Sequence, residues 1–338
     1  MKKAPAAKKT PAARRPDAAT TIELYRTMLK IRLAEQRIAA LYPSDKIQSP
    51  VHLSVGQEAV AAGVCRALAP SDHVHGTYRG HAFYIAKGGD LKRMFAELYG
   101  KDAGCARGKG GSMHLVDPDA GLMSCSAIVA STIPVATGDA FASERQGRPR
   151  VVVSVFGDGA IDEGVFYESV NFAVLKKLPI LYILENNAYA IHSKIAERRK
   201  QTELWRVTEG LGLVGEKHDG TDAALVYSTT AKAVAALRKG SGPKLLEFTA
   251  YRWHEHVGPG VDFHEAYRRP NEQALATKND PLKLAKADLS ARCGVKEDMF
   301  GRWEAEVTHE IDEAVDFAEK SPFPAVEHLY ENVFAERA

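Results

Sequence analysis

Residues 157–189 read GDGAIDEGVFYESVNFAVLKKLPILYILENNAY, and what brackets this stretch sets the fold. Immediately before it, Arg150–Phe156 (RVVVSVF) is a β-branched-rich run ending at Gly157, the pattern of a strand buried on both faces. Within it, Glu163–Lys177 has helical spacing, with Val165, Ser169 and Phe172 on one line and Phe166, Val170 and Ala173 on another. An acid opens that helix and Lys176-Lys177 closes it, which complements the helix dipole. Pro179–Leu184 (PILYIL) is a second buried strand, ending at Glu185-Asn186-Asn187. Strand, helix and strand in so short a span make a βαβ unit and predict a parallel sheet, hence an α/β fold.

The two strand ends carry chemistry. In open parallel sheets, ligands bind in the crevice beyond the carboxyl ends of the strands. Gly157-Asp158-Gly159 occupies one such end and Asn186-Asn187 the other, with 26 residues between Gly159 and Asn186. An Asp carboxylate and an Asn amide oxygen are hard ligands that suit Mg²⁺, which shares its shell with substrate phosphates. The glycines let the chain bend and let a phosphate approach with no Cβ in the way. A helix starting near Asp162 would aim free N–H groups at an anion. The spacing therefore predicts a Mg²⁺–diphosphate site.

Outward from this centre, Ile22–Leu41, Gln57–Leu68 and Leu91–Tyr99 read as helices, and Lys244–Thr249 as a further strand. Gly104–Gly111 (GCARGKGG) and Trp253–Phe263 read as loops, and the last 65 residues as helices with a Pro-interrupted end. The chain has 338 residues, 45% hydrophobic and 26% charged, an ordinary globular composition. Its net charge of +2 makes no electrostatic case for nucleic acid or a membrane surface, and no apolar run is long enough to span a bilayer. The charge is nonetheless uneven. Lys2, Lys3, Lys8, Lys9, Arg14 and Arg15 face Asp17 alone in the first 17 residues, leaving 39 basic and 42 acidic residues elsewhere. Residues 1–19 are expected to be a disordered basic tail; a targeting peptide, an anchor to an acidic partner and loose nucleic-acid contact are the other readings. The tail has no apolar core for a secretory signal. Cys65, Cys105, Cys125 and Cys293 are widely spaced, which predicts reduced thiols and a cytoplasmic location, with the mitochondrial matrix left open.

Taken whole, residues 157–189 resemble the thiamine-diphosphate motif, and more narrowly that of the α subunit of heterotetrameric 2-oxo acid dehydrogenase E1 components. His52-Leu53-x-x-Gly56-Gln57-Glu58-Ala59, Thr77-Tyr78-Arg79-Gly80-His81, Gly108-Lys109-Gly110-Gly111-Ser112-Met113-His114, Tyr251-Arg252-Trp253 and Leu329-Tyr330 follow in the family's order. The likeness spans about Thr20 to Ala335. It implies a thiamine-diphosphate-binding α/β fold, a mostly parallel sheet flanked by helices, as a single domain over 20–338 with helical N- and C-terminal arms.

The resemblance also implies roles. Asp158 and Asn187 would bind Mg²⁺ by side chain and Tyr189 by its carbonyl. Gly157, Gly159 and Ala160 would line the cofactor, and Tyr78 and Arg79 would contact its diphosphate. Ile128 and Val129 would lie against the aminopyrimidine ring. His52 and His256 would flank the reacting carbon as proton donors or stabilisers, with His81 a third catalytic candidate. The Gly108–His114 loop is either structural or part of the site. The glutamate that activates the cofactor comes from the β subunit in this family, so an α₂β₂ assembly with a shared site is implied, acting on a 2-oxo acid and passing the acyl group to a lipoyl-bearing E2.

Two departures qualify this. Where many relatives have Gly-His-Ser, this chain reads Glu255-His256-Val257, which removes the serine that kinases modify in mitochondrial members. Glu255 would either repel an anionic substrate or pair with an arginine. Ala127 and Ala130 stand where glycines are common. The alternatives are a carboligase or transketolase-like enzyme with no lipoyl acceptor, favoured by the altered loop, and a non-catalytic scaffold for a β chain.

Overall fold

A computed structural model describes residues 15–47 and 49–331; most of the basic tail, residues 1–14, lies outside the described residues. In chain order the strands are β1 (His73–His75), β2 (Leu122–Ser124), β3 (Val152–Gly157), β4 (Ile180–Asn186), β5 (Tyr189–Ala190), β6 (Ser193–Lys194), β7 (Glu216–Asp219) and β8 (Lys244–Thr249). The helices are α1 (Ala18–Leu41), α2 (Glu58–Arg66), α3 (His81–Lys87), α4 (Leu91–Leu98), α5 (Thr132–Arg145), α6 (Gly164–Lys176), α7 (Ile195–Arg198), α8 (Ala223–Leu237), α9 (Glu272–Lys278), α10 (Pro281–Cys293) and α11 (Glu297–Lys320).

Six strands form one sheet in the order β2-β1-β3-β4-β8-β7, all neighbours parallel. The α/β fold expected from the 157–189 pattern is thus the one observed. Strand alternation divides the core. Val153, Val155, Leu181 and Ile183 face one apolar cluster with α1, α4 and α11, while Val152, Phe156, Tyr182 and Leu184 face a second with α5 and α6. A strand buried on both faces has no polar side to show, and this explains the unbroken apolar runs.

The order also positions the site. From β1 the chain moves outward to β2, then returns to β3 on the other side of β1. The connections leaving the carboxyl ends of β1 and β3 therefore run to opposite sides, and this is a switch point, where open α/β sheets leave a crevice.

Local boundaries differ from the expected ones for identifiable reasons. β3 starts at Val152, not Arg150, whose guanidinium turns out to bond the Ser71 carbonyl at 2.9 Å. β4 runs two residues past Leu184 because Asn186 still pairs with Thr249 of β8. A 3₁₀ turn over Asp158–Asp162 delays α6 to Gly164, so no α-helix begins at Asp162. At the other end of the described chain, α1 begins at Ala18, capped by the Asp17 carboxylate, which accepts from Thr20 N at 2.8 Å. Its buried face includes Leu24, Met28 and Ile31, and two charged residues, Arg32 and Glu35. Cys65, Cys105 and Cys125 are buried, Cys293 is half-buried, and all four are free.

Candidate active site

A cavity of about 400 Å³ opens at the switch point. Three turns that follow β1, β2 and β3 supply Tyr78 and Arg79, Ile128 and Val129, and Gly157 to Ala160. Asn187 and Tyr189 enter from beyond β4, His52 from the loop before α2, and His256 from the loop after β8. The geometry thus brings to one cavity every residue that the sequence marked for cofactor or metal, together with two of its three catalytic histidines.

The His52, Tyr78 and His256 rings pack together, with centroids 4.5 Å (His52–Tyr78), 5.0 Å (His52–His256) and 5.5 Å (Tyr78–His256) apart. Burial, with Arg79 nearby adding repulsion, lowers both histidines to about 3. At neutral pH they are uncharged, each with one donor and one acceptor nitrogen. His52 Nδ1 is buried without a partner, so a polar atom in the cavity is left to satisfy it.

Arg79 is 5% exposed. It donates Nη1–H to the Leu53 carbonyl at 2.6 Å and Nη2–H to the His256 carbonyl at 3.3 Å. A guanidinium has five N–H donors, and those left over face a pocket fit for an anion. A Cβ built at Gly157 would meet nothing within 4 Å, so a side chain there would take cavity space.

The oxygen donors gather on one wall. Asp158 is 1% exposed; burial raises its carboxyl to about 6, against the pull of Arg198, with which it pairs. Asn187 donates Nδ2–H to Gln57 Oε1 at 2.9 Å, and its Oδ1 accepts from Tyr189 N at 3.2 Å. Ala188 between them has φ 74. This left-handed step turns the chain back on itself, so that Asn187 and Tyr189 both border the cavity. Gln57 also donates Nε2–H to Glu185 Oε2 at 3.1 Å, and burial raises that carboxyl to about 7. Among the described residues no three His, Cys, Asp or Glu side chains are grouped to hold a metal. The side-chain oxygens on this wall belong to a carboxylate, Asp158, and an amide, Asn187, both of the kind a hard cation takes.

Other expectations meet a different arrangement. His81 is fully buried and does not line the cavity. Its Nδ1 faces Glu35 Oε2 at 2.9 Å and its Nε2 faces Ser112 Oγ at 2.8 Å, so neither nitrogen is free for substrate. Glu255 neither pairs with an arginine nor lines the cavity: its Oε1 accepts from Gly260 N at 2.8 Å and closes its own loop. The Gly108–His114 loop rests on Glu97, a fully buried carboxylate. Glu97 Oε2 accepts from Ala106 N and Gly108 N, and Oε1 from Gly110 N and Gly111 N, at 2.7 to 3.0 Å. Of this loop, Met113 reaches the cavity.

Other residues at the cavity were assigned no role from the sequence. Arg198 comes from α7 and pairs with Asp158 and Asp162; Glu163 and Glu185 border the cavity, and Gln57 lies behind it. Gln57 stood in a quoted motif, so its place was available in the sequence, whereas Arg198 is one arginine among many. Ala130 has φ 64, a conformation that costs an L-residue about 1 kcal/mol or more, which explains why glycine suits this position.

Similarity to known proteins adds to the geometry. Residues 25–327 match the family model described as dehydrogenase E1 component. The chain is 36% identical over 321 residues to the chloroplastic pyruvate dehydrogenase E1 component subunit alpha-3 of Arabidopsis thaliana, covering 93% of this chain and 74% of the relative. It is 35% identical over 313 residues to the pyruvate dehydrogenase E1 component subunit alpha of Rhizobium meliloti, covering 92% and 89%. It is 33% identical over 316 residues to the mitochondrial somatic form of the human subunit, covering 93% and 79%.

Proposed function

The chain belongs to the dehydrogenase E1 component family as an alpha-type subunit of a 2-oxo acid dehydrogenase, and from that premise we propose how its cavity works. The substrate is a 2-oxo acid of the pyruvate class, decarboxylated with thiamine diphosphate and Mg²⁺, and the acyl group goes to a lipoyl-bearing E2. The carrying observation is the convergence of Asp158, Asn187, Arg79, Tyr78, His52 and His256 on one cavity at the switch point of the sheet.

When bound, thiamine diphosphate supplies the carbon nucleophile and the electron sink for decarboxylation. The chain's part is to bind and orient. Asp158, the Asn187 amide oxygen and the Tyr189 carbonyl would hold Mg²⁺. Arg79 grips diphosphate oxygens through its planar fork, with Tyr78 beside it and the Gly157–Ala160 backbone close against them. The Ile128–Val129 backbone would lie against the pyrimidine ring. Two of its own hydroxyls fix this segment: Ser126 Oγ accepts from Ile128 N at 3.1 Å, and Ser131 Oγ donates to the Ile128 carbonyl at 2.9 Å. His52 and His256, held uncharged, would each donate an N–H hydrogen bond to the substrate's carboxylate or keto oxygen without adding a fixed charge.

Ile128 is 71% exposed and Val129 45%. An apolar rim that open beside a polar cavity supports a second subunit covering it. A β-type chain in an α₂β₂ assembly would cover this rim and bring the activating glutamate. The compartment proposed is the cytoplasm; among the described residues no helix is long and apolar enough to cross a membrane.

The test is dye-coupled oxidation of a panel of 2-oxo acids by this chain co-expressed with a β-type subunit, with and without thiamine diphosphate and Mg²⁺. Cofactor-dependent dye reduction is expected. Silence across the panel with cofactor bound would favour the carboligase reading, and failure to bind cofactor would favour the scaffold reading.

A further inference from the structure

Behind Arg79, one peptide unit lies between two buried charges of opposite sign. The Leu53 carbonyl accepts from Arg79 Nη1 at 2.6 Å. The N–H of the same peptide unit, that of Ser54, donates to Glu35 Oε1 at 2.9 Å. Glu35, on α1, is fully buried, and its other oxygen faces His81 Nδ1 at 2.9 Å. His81 in turn meets Ser112 Oγ at 2.8 Å, at the end of the loop built on Glu97. Hydrogen bonds in series polarise one another, and inside a protein this effect is unscreened by water. A carboxylate on the N–H side makes the Leu53 carbonyl a stronger acceptor, and so a firmer anchor for the guanidinium.

We propose that Glu35 is a positioning residue for Arg79: through the Leu53–Ser54 peptide it fixes the guanidinium at the angle that presents its free donors to a diphosphate. This rests on the reading of Arg79 as a diphosphate ligand. A carboxylate with no exposed surface gains nothing from water. Its contacts join α1, the start of α3 and the loop before α2, three elements that meet behind the cavity. His81 belongs to the same chain, holding Glu35 in place rather than touching substrate.

The experiment is a double-mutant cycle on the α/β complex, with calorimetry of thiamine diphosphate in the presence of Mg²⁺ and melting curves for every variant. Glu35→Gln keeps the shape and the acceptor for Ser54 N–H but removes the charge. We expect it to weaken cofactor binding about tenfold at a near-unchanged melting temperature, and to add almost nothing in an Arg79→Gln background. Glu35→Asp keeps the charge at shorter reach and should fall between wild type and Glu35→Gln; it carries the test should Glu35→Gln not fold. Full affinity in a folded Glu35 variant, or losses that simply add to that of Arg79→Gln, would overturn the proposal. Absence of binding by the unsubstituted complex would instead defeat the cofactor reading itself, and the inference with it.

Discussion

Asn187 Nδ2 donates to Gln57 Oε1 across 2.9 Å, and this bond decides which way the Asn187 amide faces. With the NH₂ committed to Gln57, the carbonyl oxygen is the group left for the cavity, where it accepts only from Tyr189 N at 3.2 Å. Gln57 is in turn held by Glu185, so a short chain of side chains settles the orientation before any cation arrives.

Gln57→Ala should therefore weaken Mg²⁺ affinity by about tenfold or more, the usual effect of removing a partner that orients a ligand. Titration of Mg²⁺ into the complex with saturating thiamine diphosphate measures it. Unchanged affinity would mean that Asn187 needs no guide.

Asp158→Ala should abolish Mg²⁺-dependent cofactor binding and leave the fold intact. The residue stands just past the end of β3 and outside the apolar clusters, and Arg198, its half-buried partner, keeps Asp162 as a second counter-ion. Calorimetry on the assembled complex would show no cofactor heat, with a melting curve close to wild type.

Much of this site was legible because strand ends are legible. Once Arg150–Phe156 and Pro179–Leu184 are read as buried parallel strands, Asp158 and Asn187 must meet at the carboxyl end of the sheet. The resemblance then supplied residues from distant loops, such as His52 and His256, that no local pattern could join. What escaped was long-range and polar. Glu35 and Glu97 lie within apolar helical stripes, and periodicity would put no charge inside; each is paid for by backbone N–H groups that only the folded chain brings near. His81 misled for the same reason. Its motif position is real, but the side chain turns toward α1 and not the cavity. The delayed start of α6 depends on the 3₁₀ turn after β3, which no residue type signals.

Glu255 bears on substrate choice. Because its carboxylate is engaged by Gly260 N in its own loop, Glu255→Gln, which retains that acceptor oxygen, should leave the ratio of rates across a panel of 2-oxo acids within about twofold of wild type. Glu255→Ala should loosen the loop carrying His256 and raise KM for every substrate together. A selective gain for one more anionic substrate would show that the carboxylate does reach the cavity.

The buried histidines predict a pH dependence of stability. His52 has its pKa lowered by burial, and further by Arg79, to about 3, against 6.5 as the ordinary value. Above pH 6.5 neither the folded nor the unfolded form binds this proton, and its effect on stability is nil. As the pH falls from 6.5 toward 3 the unfolded chain takes up a proton that the folded chain refuses, and stability is lost. Down to pH 5 this amounts to about 2 kcal/mol for His52 alone. His52→Gln should flatten that part of the curve, read as a smaller drop in melting temperature between pH 7 and pH 5. An identical drop in both proteins would mean that His52 is protonated in the fold.

Three carboxylates line the cavity: Asp158, paired with Arg198; Glu185, held by Gln57; and Glu163, on the exposed side. None belongs to the Ser126–Ala130 turn, where the pyrimidine ring would rest, and the side chains there are the apolar, exposed Ile128 and Val129. Activation of the cofactor requires a carboxyl group against that ring. The purified chain should accordingly show no decarboxylation with thiamine diphosphate and Mg²⁺, and adding a β-type subunit should restore it. Replacing the activating glutamate of that subunit by glutamine should abolish the restored activity while leaving assembly intact. Turnover by the chain alone would move the activating role to one of its own carboxylates, and Glu163, the exposed one of the three, would be the first to replace.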